Sequence, residues 1–425
     1  DCRRMFLPAH MGWWAFKTWT GPQSEPTYAD DIEYLCCKCL ATDTGLSIMG
    51  IDPEKLTATP GLARLAEIMR TYEELRRAGH FPESIKQKLR VPGMEFKLSR
   101  NPGGRWEFRP IQYVKHKVQG LADWTSTWSV RNPYASQPAR LRIEALMSVE
   151  PYDSERAMAI AQSAEGWGEA KSADSKIEAS LLPSAELTPA GTTSFRYWAH
   201  SKLAERRGAW TAVEKVFRPP IDLSGRQGMG VWVHGDGQGQ ILNIQLKSPE
   251  HFIPAVGEHY IDIDFVGWRY FEIVEPEGER YSEYSWPYGS PYTIYRESVD
   301  YRAVESLGLW YNNLPPRKTV NCLIGQVRAL PLAKAEVVNP AITIGRRTLT
   351  FPTRIESGSY LEFNPPSDCH LYGPKGELLK DVEPRGSPPL LKRGSNRLRL
   401  SCAPSSRISP RANVTLISEG QPLRQ

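Results

Sequence analysis

The sequence predicts a mixed fold: a short α/β segment followed by two or three antiparallel β-sandwich domains. Three observations carry this reading. Residues 1–90 run strand, helix, strand, helix. From Pro92 onwards apolar residues recur with period two in short runs. Lastly, 33 glycines and 35 prolines interrupt the 425 residues throughout, which excludes a helical bundle. With 40% hydrophobic residues the chain can bury real cores, so general disorder is excluded as well.

In the α/β segment, residues 4–16 read as a strand leading into an aromatic loop. The Gly/Pro/Ser-rich stretch from Gly21 ends at Asp30 and Asp31, either of which could cap a helix running to about Leu40. A second apolar strand follows at 45–51. After a turn, an amphipathic helix spans 61–78, with Leu62, Leu65, Ala66, Met69, Tyr72 and Leu75 on one face. Continuous apolar strands flanked by helices imply a parallel sheet. Two such units cannot bury both faces of a sheet, so an N-terminal portion is expected as a partner, supplied by a separate chain or a missing segment. The opening Asp1-Cys2-Arg3-Arg4 has no initiator Met and no signal peptide, as expected of a processed chain or the C-terminal part of a longer one.

The expected domains beyond residue 90 are a β-sandwich at 91–176, a second and more aromatic sandwich at 177–335, and a small C-terminal sandwich at 336–425. In the first, strands fall at 95–98, 105–108, 111–118, 127–130 and 139–148, and the polar stretch 150–176 is a surface segment. The charge balance, 53 Lys plus Arg against 48 Asp plus Glu, does not suggest a dedicated nucleic-acid binder. No run of 18 apolar residues suggests a membrane span. Seven cysteines are an odd number and no disulfide framework, although Cys369 and Cys402 could pair. Cys36, Cys37 and Cys39 read as packing residues and not as a zinc site, because neighbours on a helix face different ways and no His or Asp follows at ligand spacing. No P-loop, dinucleotide fingerprint or G-x-S-x-G elbow is present.

The most specific motif is Gly230-Val231-Trp232-Val233-His234-Gly235-Asp236-Gly237-Gln238-Gly239-Gln240, a strand and a glycine-rich hairpin. Its return strand ends Leu242-Asn243-Ile244-Gln245-Leu246. Asp262-Ile263-Asp264-Phe265-Val266-Gly267-Trp268-Arg269-Tyr270 follows, and then a strand at 304–313. Over residues 185–330 this pattern resembles the jelly-roll carbohydrate-binding sandwiches attached to bacterial polysaccharide-degrading enzymes. The resemblance implies an oligo- or polysaccharide partner. A pyranose offers a flat C–H face to Trp or Tyr rings, which makes Trp268, Tyr270, Trp286 and Tyr288 candidate substrate-binding residues, with Trp232 and His234 beside them. Alternation with Val231 and Val233 favours a core position for Trp232, and Trp268 and Tyr270, sharing a strand face, could both be core residues as well. Residues 281–288 hold four aromatics in one connection, where binding accounts for them better than folding does. Asp262 and Asp264, two apart, could hold calcium as a structural ion. No other cofactor is expected.

Residues 3–90 resemble the last two strand–helix units of a TIM barrel from a glycoside hydrolase, so the segment is expected to be a partial (β/α) barrel. That likeness puts His10, Trp13 and Trp14 at the carboxyl end of a strand, where barrels place their active sites. Trp13, Trp14 and Trp19 would form a sugar platform. Glu25, Asp30 and His10 are the candidate catalytic residues, glycoside hydrolysis requiring two carboxylates. The whole chain resembles the C-terminal portion of a multimodular bacterial glycoside hydrolase, its sandwiches bracing the barrel or extending the groove. Two alternatives stand beside this: a non-catalytic carbohydrate-binding or scaffold protein, and a lyase on uronic-acid polysaccharide in which Tyr or Arg would flank His10. A polysaccharide substrate points to an extracellular or periplasmic location, and a homo-oligomer is a further partner to consider.

Overall fold

Among the described residues, α-helices occupy only the first ninety positions, and strands dominate thereafter. A computed structural model describes residues 10–24, 26–120, 124–250, 255–276, 297–403 and 408–423. The chain forms two compact units, one of residues 1–147 with 334–425 and one of residues 148–333.

The first unit begins with β1 (His10–Ala15), α1 (Ala29–Thr42) and β2 (Gly45–Met49), followed by α2 (Pro53–Ala58), α3 (Pro60–Arg77) and α4 (Glu83–Leu89). β1 and β2 pair in parallel across α1, as the sequence predicts, with Trp14 opposite Ile48. Among the described residues these two strands form a sheet of their own, with no third strand on either edge. The TIM barrel is therefore not seen, only one parallel pair and its helices. Ile32, Cys36 and Leu40 recur four apart and bury one face of α1; Leu62, Leu65, Tyr72 and Leu75 do the same for α3. They join Phe96, Leu98 and Phe108 in one core. Asp31, not Asp30, assists the start of α1, its Oδ2 accepting the Tyr28 N–H at 2.8 Å.

The rest of this unit is a sandwich. One antiparallel sheet has the strand order Leu378–Asp381, Asp368–Tyr372, Tyr360–Asn364, Arg140–Ala145, Ala412–Glu419, Trp106–Val118, Glu95–Arg100. The other runs Arg385–Gly386, Arg347–Thr350, Glu336–Ile344, Gly394–Ala403, Thr127–Asn132, with Arg354–Glu356 also on Glu336–Ile344. Ile143, Leu361 and Val414 of the first sheet share a core with Val130, Ile342, Leu398 and Leu400 of the second. This differs from the expected division. Residues 91–176 and 336–425 do not fold apart, because Thr127–Asn132 pairs with Gly394–Ala403 and Arg140–Ala145 lies between Tyr360–Asn364 and Ala412–Glu419. The strands expected at 105–108 and 111–118 are likewise one, Trp106–Val118, running through Pro110.

The second unit is a sandwich of a five-stranded sheet (Lys171–Ser172, Thr211–Ile221, Val304–Asn312, Ile241–Ser248, Ala255–Asp262) and a seven-stranded one. The seven are Ile177–Pro183, Ser194–Ser201, Lys318–Gly325, Gly228–Asp236, Val327–Leu330 and Met158–Ala161, with Val266–Ile273 on Gly228–Asp236. Between the sheets lie Phe195, Tyr197, Val231, Val233, Leu242, Ile244, Leu307, Leu309 and Tyr311. Its limits, 148 and 333, replace the expected 177 and 335, since Met158–Ala161 belongs to its sheet.

The six cysteines in the described residues are all free, Cys369 and Cys402 included. Burial pushes the Cys37 thiol up to about 12, and its Sγ lies 3.5 Å from the Tyr72 hydroxyl, a packing position.

Glu33 on α1 is 9% exposed, and burial, partly offset by Lys97, pushes its carboxyl up to about 7. Because the ordinary value is 4.5, the folded state increasingly loses stability as pH rises from 4.5 to 7, and loses none below. Glu33→Gln should therefore stabilise this unit above pH 7, by up to about 3 kcal/mol. At pH 4.5 the gain should nearly vanish, as read by urea unfolding at both pH values. An equal gain at both would mean that packing, not titration, is what changes.

Candidate functional site

In the α/β layer, the His10 Nε2 lies 2.9 Å from the Ser47 Oγ, and its ring meets Trp13 at 5.5 Å. The Tyr or Arg neighbours that lyase chemistry asks for are not among its described contacts. Trp13 is 70% exposed and Trp14 40%, on a strand whose residues nearly all face solvent. Trp19 does not join them in a platform. Its ring lies against Gly358, where φ is +92° and no side chain would fit. Next to β2, a groove of about 560 Å³ runs between α1 and α3, lined by Cys36, Leu40, Leu46, Ile48 and Met69.

Asp30 is engaged elsewhere. Its two carboxylate oxygens accept from Arg142 Nη1 at 2.8 Å and Nη2 at 3.3 Å. Arg142 alternates with the core residues Leu141 and Ile143, so it points off the opposite face of its sheet and meets the first turn of α1. Burial alone would raise the Asp30 carboxyl, but the charge and hydrogen bonds of Arg142 outweigh it and hold the group below the ordinary range. This geometry makes Asp30 an anchor for α1, not a free acid. Glu25, Trp286 and Tyr288 lie outside the described residues.

In the second unit, the glycine-rich motif is a turn held by its own aspartate. Asp236 Oδ1 accepts from Gln238 N at 3.2 Å and Gln240 Nε2 at 3.0 Å, while its Oδ2 accepts from Asn321 N at 2.6 Å. Gly237 and Gly239 have φ of +71° and +81°, conformations that L side chains resist. The hairpin fixes the strand before it. Val231 and Val233 enter the core, which turns Trp232 and His234 to the outer face of the seven-stranded sheet. Across the register, Trp232 stands opposite Tyr270 and His234 opposite Trp268. The rings meet at 5.4 Å in both pairs, and all four residues are half-buried.

Residues of an adjoining strand and of segments beside the sheet complete this row, and these neighbours were missed in the sequence. Tyr152 packs edge-on to Tyr270 at 5.7 Å, Arg328 lies over the Tyr152 ring, and Trp268 Nε1 donates to Glu186 Oε1 at 3.0 Å. Tyr152 and Glu186 sit in polar stretches without period-two signal, so nothing local marks them.

The outer face of the five-stranded sheet is different in kind. Glu258 Oε1 accepts from Asn243 Nδ2 at 2.7 Å and Gln245 Nε2 at 2.8 Å, and its Oε2 from Tyr260 Oη at 2.7 Å. Glu258 is fully buried, so this network reads as a satisfied structural cluster. Asp262 ends the strand that carries Glu258, Asp264 lies two residues beyond it, and both are exposed. Among the described residues, no three His, Cys, Asp or Glu side chains converge as metal ligands, and no helix is long and apolar enough to cross a membrane.

Antiparallel β-sandwich is the class that the strand pairings define for both units. No family model matches the chain, and no curated protein matches it. Among solved structures, it is similar to the family 11 carbohydrate-binding module of the cellulosomal cellulase Lic26A-Cel5E of Clostridium thermocellum, at 13% identity over 43% of this chain and 97% of that one, with a TM-score of 0.31. A family 11 module of Clostridium thermocellum in complex with a β-1,3-1,4-mixed-linked tetrasaccharide is similar at 14% identity, over 45% and 95% of the two chains, with a TM-score of 0.28. An exo-β-agarase is similar at 11% identity, over 39% of this chain and 23% of that one, with a TM-score of 0.26.

Asp30→Asn should cost the first unit about 3–5 kcal/mol at neutral pH, because it leaves the buried Arg142 under-compensated. In the parent, the Asp30 contribution is complete above its ordinary value of 3.8 and disappears as pH falls through its lower folded value. The variant should lack that part of the acid limb in an unfolding titration followed by tryptophan fluorescence.

Proposed function

We propose that this chain engages glycan through the outer face of strands Gly228–Asp236 and Val266–Ile273, as the C-terminal part of a carbohydrate-active enzyme. One observation carries the reading. Trp232 with Tyr270 and His234 with Trp268 stand side by side on the face turned away from the core, half-buried and not sealed. Core packing accounts for the valines between them but not for four rings outside it. A pyranose presents an apolar face to such rings, while ring N–H groups and neighbouring carboxylates answer its hydroxyls.

The parallel β1–β2 pair, with both outer edges unpaired among the described residues, supports the hydrolase form of the proposal. In that form an N-terminal barrel portion, from a separate chain or another segment, adds the remaining strands and the catalytic acids. The engagement of Asp30 with Arg142 favours acids from elsewhere. In that form Trp13 and Trp14, exposed on β1, would face the substrate of the completed barrel. On its own the chain is expected to bind glycan without releasing reducing ends.

Affinity electrophoresis of the chain in gels of mixed-linkage β-glucan, xylan or agarose tests the binding step. Retardation by at least one is expected, with Trp232→Ala and Trp268→Ala each weakening it about tenfold, or about 1.4 kcal/mol. Retardation unchanged in both variants would overturn this face as the site. Absence of retardation by every polysaccharide would leave a scaffold as the better reading.

A further inference from the structure

The net charge of +5 is small for the whole chain, but the structure collects part of it on one sheet face far from the ring-bearing strands in sequence. In the six-stranded sheet of the first unit, Val130, Ile342, Leu349, Leu398 and Leu400 point into the core. The alternate positions therefore form the outer face. On strand Gly394–Ala403 these are Arg397 and Arg399; on Thr127–Asn132, Ser129 and Arg131. The register places Arg397 opposite Ser129 and Arg131 opposite Ser395, while Arg399 lies between Thr127 on one side and Thr343 on the other. Arg131 and Arg397 are thus diagonal neighbours, within reach of a shared anion. Arg385, on the edge strand, faces Thr350 and lies three strands, or about 14 Å across the sheet, from the strand of Arg399.

All four arginines are exposed, and among the described residues none of them pairs with a carboxylate. The carboxylates of these strands are Glu336 and Glu356, which stand opposite each other, and Arg354 pairs with Glu336 at 2.8 Å. Seven residues separate Glu336 from Thr343 along its strand, about 23 Å, well beyond the screening length of physiological salt, about 8 Å. The acidic end therefore does not neutralise the basic one.

We propose that this face is a binding surface for an anionic polysaccharide, one bearing carboxylate or sulfate groups. Guanidinium forks match such planar or tetrahedral anions bidentately. Between them the face offers hydroxyls that both donate and accept, and Thr343 and Thr348 already hydrogen-bond each other across it at 2.9 Å. The outer positions that alternate with the core carry no aromatic ring for stacking bases and no apolar wedge for a bilayer, so hydroxyl-rich chains suit it better than nucleic acid or lipid. The surface belongs to a different unit from the rings of Trp232 and Trp268 and does not depend on them.

The test uses the full chain in affinity electrophoresis with polygalacturonate and with heparin, against neutral dextran. Retardation by one or both anionic polymers, weakening as salt rises, and none by dextran is expected. Arg397→Gln with Arg399→Gln should reduce it at least tenfold while the melting curve stays that of the parent. The charge-matched pair Lys176→Gln with Arg207→Gln, on exposed positions of the other unit, should change it less than twofold. Equal losses in both pairs would reduce the effect to net charge and overturn the proposal. So would retardation by neither anionic polymer, or binding to duplex DNA or anionic phospholipid vesicles as tight as that to the polysaccharides.

Discussion

The Arg142 guanidinium is buried against the first turn of a helix, and the placement of the whole α/β layer depends on how it is satisfied. Asp30 takes both terminal nitrogens, Glu144 Oε1 accepts from Nε at 2.9 Å, and the Tyr28 ring lies 3.7 Å beneath the carbon that joins them. A lysine has neither the fork nor the flat face for this. Such a cluster adds little net stability over an apolar one of equal shape, but breaking it is costly, so it specifies one position for α1 more than it glues it there. A second contact of the same kind holds α3. Arg64 pairs with Glu362 at 3.1 Å and lies over Tyr372, while Gly61 meets Gly376 so closely that neither tolerates a side chain. With both helices pinned to one sheet, the β1–β2 pair that α1 connects is held in place, with no third strand beside it among the described residues.

Elements with a strong local period were legible in the sequence, and their partners were not. The recurrence of Leu62, Leu65, Tyr72 and Leu75 marks α3 to within a residue at each end, whereas α2 and α4, at six and seven residues, are too short to show a period. Alternation marks strands at Thr127–Val130 and Arg397–Leu400 equally well, inside the observed Thr127–Asn132 and Gly394–Ala403. It says nothing of their lying side by side, and one sandwich therefore reads as two domains. Candidate residues divide the same way. Two valines flanking Trp232 establish that it opposes them, but only the assembled sandwich shows which side is the core. An aspartate at the start of a helix reads equally as cap, acid or anchor until its partner 112 residues away is known. Trp19 is claimed by Gly358 for the same reason: a loop tryptophan's contact is a tertiary fact.

The interruption of the first sandwich is the feature with the widest reach. Its strands come from both ends of the chain, and closing so long a connection costs entropy, although the cost grows only slowly with length. The second unit lowers that cost by joining its own ends, since Ser148–Val149 pairs with Leu332–Ala333. On the other side of the junction, the Ser357 hydroxyl lies 2.8 Å from the Leu146 carbonyl and 3.2 Å from that of Ala335, clasping the two places where the host chain leaves and returns. Both bodies therefore have neighbouring termini at the splice. The inserted unit is in effect a cassette: a short turn from Met147 to Lys334 would heal the host, and the excised piece would keep its ends zipped. Evolution or an engineer could exchange one sandwich for another at this junction and leave every strand pairing of the host as it is.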